Sequence, residues 1–156
     1  MVTRVDFAFG APDRLRMACQ VIGRHYAKGR KVVVYCSDAR LLNRFDRLLW
    51  SFDPASFIPH VSTNDTLASV TPVLLATQVT DPLPWPDRNK ENNDLAPWLL
   101  NLDQHCPASA EKFERILEIV SNEQSDRQFA RQRWAAYKAA GLELHAHDVS
   151  SMTHAT

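Results

Sequence analysis

The sequence predicts an α/β fold, a single domain with a mostly parallel sheet flanked by helices. Two observations carry this. Short apolar runs rich in valine and phenylalanine alternate with longer stretches whose apolar residues recur at helical spacing. The run Val32-Val33-Val34-Tyr35 lacks polar alternation, which suits a strand covered by helices on both faces. At 156 residues, 45% hydrophobic and 23% charged, the chain is long enough for one substantial core.

Arg4 to Phe9 alternates and reads as a first strand. Pro12 suits the first helical position, with Asp13 in the first turn. Leu15, Ala18, Cys19, Ile22 and Tyr26 then follow at helical spacing, and Gly29 stops that helix. Lys31 to Cys36 is the second strand. Ser37 is placed to cap a second helix with the stripe Leu41, Leu42, Phe45, Leu48, Leu49 and Phe52. A short Ser-Phe-Ile-Pro-His run and a polar loop from Ser62 to Ser69 precede another buried strand, Pro72 to Thr77.

Three prolines and three asparagines make Asp81 to Asn93 an exposed loop. Trp98 to Leu102 reads as a last strand. Pro107 to Val120 reads as a helix, with Phe113, Ile116, Leu117 and Val120 on one side. The domain is bounded at residues 1–144, and 145–156 reads as a flexible tail.

The final helix, Ser125 to Gly141, is expected to start with a capping box of Ser125 and Gln128 and to end at a left-handed Gly141. At about 100° per residue, Arg127, Arg131, Trp134 and Lys138 fall within an arc of roughly 60°. Phe129, Ala136 and Ala140 lie nearly opposite and are expected to pack. The polar face carries three cations around an indole and no carboxylate. That chemistry fits an anionic ligand with something flat or apolar to bury.

Lys plus Arg equals Asp plus Glu at 18 each, so no overall field holds the chain to nucleic acid. The N-terminal residues do not read as a signal peptide, and no apolar run reaches membrane-spanning length, so the expected compartment is the cytoplasm. Cys19, Cys36 and Cys106 form no ligand motif or disulfide framework. Only Gly10 follows the first strand, where a dinucleotide fingerprint needs three glycines, and no Gly-Lys-Ser or Gly-Lys-Thr occurs. No nucleotide, metal or other cofactor is expected. Cys36 beside Ser37 and Asp38 is the one thiol placed like an active-site group, so a small α/β enzyme remains an alternative. Direct binding of single-stranded nucleic acid by the basic stripe is another.

Three stretches, Tyr26 to Val32, Leu41 to His60 and Arg131 to Gly141, resemble the chi subunit family of the bacterial DNA polymerase III holoenzyme. The resemblance implies a nucleotide-binding-like α/β fold without a nucleotide and without catalysis. It implies a bridge between the psi subunit of the clamp loader and the acidic C-terminal tail of single-stranded DNA-binding protein, which ends in Pro-Phe. DNA is then met only indirectly. By match to the family's motif, the tail-binding positions are Val120, Arg127, Arg131 and Trp134, with Lys138 attracting the acidic part. Trp50, Phe57, Pro59 and His60 match positions facing psi or other polymerase-side partners. Two departures stand out. Trp134 replaces the family's usual tyrosine, and Ala135 replaces a common lysine.

Overall fold

The computed structural model describes residues 2–53, 57–86 and 96–151. Its strands are β1 (Arg4–Ala11), β2 (Val32–Tyr35), β3 (His60–Ser62), β4 (Val73–Ala76), β5 (Trp98–Asn101), β6 (Arg115–Ser121) and β7 (Glu143–Asp148). They form one sheet in the order β3-β4-β2-β5-β6-β1-β7, and every neighbouring pair is parallel. The helices are α1 (Arg14–Ala27), α2 (Ala39–Ser51) and α3 (Gln124–Ala139). None is long and apolar enough to cross a membrane.

The Val-Val-Val run shows why the sheet needs two covers. Val32 and Val34 join the core beneath α1 and α2, with Ile22, Phe45 and Leu49. Val33 points the other way, into a second core with Val5, Phe7, Ile116 and Tyr137 beneath α3. Gly29 adopts φ 80° after α1, where its lack of a Cβ lets the chain turn into β2. Both central helices begin on an aspartate cap. Asp13 Oδ1 accepts from Arg16 N–H at 3.2 Å, and Asp38 Oδ1 from Arg40 N–H at 3.0 Å. These correct the expected starts at Pro12 and Ser37. The Ser37 hydroxyl donates instead to Asp103 Oδ1 at 2.6 Å, tying the end of β2 to that of β5.

Larger corrections lie toward the C-terminus. Pro107–Val120 is not a helix. A short 3-10 turn at Ala110–Lys112 leads into β6, an interior strand buried from Ile116 to Ser121. The run Ile-Leu-Glu-Ile-Val disguised itself because Glu118 reads as a solvent-facing charge. It is 1% exposed. Residues 145–148, expected in a tail, belong to β7 and pair with β1 from Asp6 to Phe9. Residues 152–156 of that tail lie outside the described residues. So do Ser56, just before Phe57, and residues 87–93 of the proline-rich loop.

Candidate functional site

β6 and α3 are held together by Glu118. Its carboxylate accepts from Arg133 Nε (2.9 Å), the Tyr137 hydroxyl (2.6 Å) and Asn101 Nδ2 (2.8 Å). Arg133 Nη1 also donates to the Gln104 carbonyl at 3.1 Å. Burial pushes the Glu118 carboxyl up, against the pull of Arg133, Tyr137 and Asn101. Such a pair holds only while both charges are matched. The buried face of α3 is therefore Ala130, Arg133 and Tyr137, not the expected Phe129, Ala136 and Ala140. Ala136 and Ala140 are exposed. A hydrophobic pattern could not place this face, because its largest member is a paired arginine.

The start of α3 differs as well. Its cap is Glu123, which makes no side-chain capping bond, so the Ser125 and Gln128 box is not formed. Asp126 turns back instead and accepts from Ser121 N–H at 2.7 Å, fastening the first turn to the end of β6. Gly141 does end the helix at φ 82°.

With Arg133 turned inward, Arg127, Arg131 and Trp134 border a groove of about 300 Å³ beside the sheet. Val120, Phe7, Phe9, Ala130 and Ala146 complete its lining. Four of the five residues assigned to tail binding thus line one groove. Lys138 is exposed one turn beyond Trp134 and does not line it. Trp134 is half-buried and stands edge-on to Phe7, ring centres 5.1 Å apart. Among the described residues the groove wall holds two guanidinium groups and no carboxylate. Among the described residues neither Arg127 nor Arg131 makes an ion pair. Such a surface takes an apolar group carrying negative charge.

Sequence reasoning missed Phe7, Phe9 and Ala146. Phe7 and Phe9 are two apart on one strand, hence on one face, and Phe9 is 42% exposed. That spacing was the available signal. Ala146 was missed because β7 was not recognised.

The second group sits at the far edge of the sheet, where α2 ends beside β3. Trp50 and Phe57 are exposed, with ring centres 5.2 Å apart. Trp50 lies 4.0 Å from the His60 ring. His60 itself is buried, bonded through Nε2 to Asp46 Oδ1 (2.8 Å) and through Nδ1 to the Ile58 carbonyl (2.7 Å). It supports the aromatic pair from below. Pro59 is half-buried and leads into the edge strand β3, where a proline displaces no interior ladder bond. Among the described residues the adjoining pocket of about 340 Å³ is lined by Asp46 and Asp65 and by no Lys or Arg.

Cys36 offers little to enzyme chemistry. Its thiol is 1% exposed, its Sγ lies 3.7 Å from the Leu102 carbonyl, and burial raises its pKa. Reactive thiols have the opposite properties.

Comparison with known proteins agrees along nearly the whole chain. It is 31% identical over 150 residues to DNA polymerase III subunit chi of Pseudomonas aeruginosa, covering 94% of this chain and 96% of that one. It is 28% identical over 130 residues to the Escherichia coli subunit chi, covering 83% and 81%. The Haemophilus influenzae subunit chi is 26% identical over 134 residues, covering 85% of each chain. The profile of the family described as DNA polymerase III chi subunit, HolC, matches residues 2–145, and the chain belongs to that family.

Proposed function

We propose that this chain is a non-catalytic accessory subunit that tethers the replicative polymerase to protein-coated single-stranded DNA in the cytoplasm. One edge of its sheet docks the psi subunit of the clamp loader through Trp50 and Phe57, over Pro59 and His60. The other holds the acidic C-terminal tail of single-stranded DNA-binding protein. The observation that carries the reading is the groove between α3 and β7, apolar in its floor, with Arg127 and Arg131 at its wall and no carboxylate. The tail's terminal Phe enters against Trp134 and Val120. Arg131 takes the terminal carboxylate, because a guanidinium can hold it with two parallel bonds. Arg127 and Lys138 attract the acidic residues upstream.

A contact this small binds weakly, on the order of micromolar. Fluorescence anisotropy with a labelled acidic peptide ending in Pro-Phe tests it, beside the same peptide lacking the final Phe. The full peptide is expected to bind and the truncated one to fail. Equal binding of the two, or preference for a bare oligonucleotide, would overturn the assignment.

A further inference from the structure

β7 ends the sheet, and among the described residues no strand pairs with its outer edge. Its pairing with β1 fixes which backbone groups are free. Glu143 N–H donates to the Thr3 carbonyl at 3.1 Å, and Val149 N–H to the Phe9 carbonyl at 2.9 Å. In a parallel ladder the bonding residues alternate. Residues 143, 145, 147 and 149 therefore bond to β1, and the N–H and C=O groups of Leu144, Ala146 and Asp148 point outward. Folded proteins commonly block such an edge with proline, a bulge or a covering loop. From Leu144 to Ala146 the sequence supplies no proline, and the register with β1 continues without a break. Ala146 also lines the groove shared with Arg131 and Trp134.

We propose that the acidic peptide binds as an added strand on β7, with its terminal Phe turned into the groove. This rests on the reading of the groove as an acidic-tail receptor, and adds how the tail's backbone is held. The occupant follows from charge. Arg127, Arg131 and Lys138 are all exposed on the α3 face that carries the groove, and no carboxylate lies on that face. Each end of the strand offers the acidic residues a cation, Lys138 in the last turn of α3 shortly before β7 begins and Arg127 in the pocket it shares with Asp148 at the other end. Main-chain bonds to an open sheet edge supply affinity without regard to side chains, and the groove supplies the selection for Phe.

Amide hydrogen exchange of the full chain, read by NMR with and without saturating Pro-Phe peptide, tests this. Exchange at Leu144 and Ala146 is expected to slow by roughly tenfold or more, with little change at His145 and His147, whose amides already bond to β1. Two peptides N-methylated at adjacent backbone positions give a second readout. Only one of two adjacent amides faces β7, so one methylation is expected to weaken binding about tenfold and the other far less. A peptide that binds while Leu144 and Ala146 exchange as before, and whose two methylated forms bind alike, overturns the added strand and leaves the groove reading intact. No binding of the unmodified peptide overturns both.

Discussion

The two edges of the sheet are built from the same parts and end in opposite chemistry. Each has an edge strand, a neighbouring helix and aromatic side chains at the rim. At the β7 edge the wall carries Arg127 and Arg131 and no carboxylate. At the β3 edge the pocket beneath Trp50 is lined, among the described residues, by Asp46 and Asp65 and by no Lys or Arg. Within a chain of zero net charge the two pockets thus differ in local charge. Overall composition hides this difference. Under the proposed function, partners would distinguish the edges by the local charge of each pocket.

The largest expected effect breaks the scaffold of one edge only. Glu118→Gln leaves Arg133 buried without its counter-charge, at a cost of about 3–5 kcal/mol, which lowers the melting temperature by on the order of 10 °C. Trp50→Ala at the other edge removes an exposed ring and is expected to change stability by less than about 1 kcal/mol. Equal losses in thermal unfolding would show that Glu118 is not the fastening point.

Next come effects on binding. Arg131→Ala or Trp134→Ala is expected to weaken the Pro-Phe peptide by roughly tenfold or more, with the fold retained by circular dichroism. The double variant Trp50→Ala, Phe57→Ala is expected to leave peptide affinity unchanged and to lose psi in co-purification. Any crossover between the edges breaks the comparison. Raising salt from about 0.05 to about 0.5 M is expected to weaken the peptide severalfold while sparing contact at the aromatic edge.

The smallest effect lies between the edges. His25 packs edge-on to Trp98 at 4.8 Å, and burial, with Arg115, Lys28, Arg24 and Arg30 nearby, lowers its pKa to about 4. The unfolded chain protonates His25 near its ordinary 6.5, so stability is lost as pH falls from about 6.5 toward 4. Burial alone would raise Asp6, but hydrogen bonds from Arg4, His147 and Arg115 hold it at about 2, so its contribution survives this window. Glu118 works in the opposite sense, since its pKa is raised. Comparing the wild type with His25→Asn isolates the histidine. The variant is expected to lose less stability between pH 7 and 4.5, and parallel losses would remove His25 as the cause.

Much of this was legible in the sequence because local patterns agreed with the fold. The valine run and the α2 stripe each read correctly from spacing alone. The basic stripe of α3 read correctly too, since exposed cations leave no ambiguity about which way they face. Two of the failures share one physical origin. Glu118 and Arg133 cancel each other inside the protein, and a rule that sends charges to solvent misplaces both. That single pair turned β6 into a helix and put the wrong face of α3 against the sheet. β7 was lost for a different reason. Glu-Leu-His-Ala-His-Asp lies at an edge and is mostly exposed, and its alternation rests on Leu144 and Ala146 alone, too short a run to stand out. Losing β7 also concealed Ala146 and the open backbone beside the groove.

The most direct test of the central claim pairs one side chain with one end of the ligand. The Pro-Phe peptide is made with a free C-terminal carboxylate and as its amide, and each is titrated against the wild type and Arg131→Ala. If Arg131 holds the carboxylate, amidation costs roughly tenfold or more in the wild type and almost nothing in the variant. An amide that loses the same affinity in both proteins would contradict the account, since the carboxylate would then be held elsewhere.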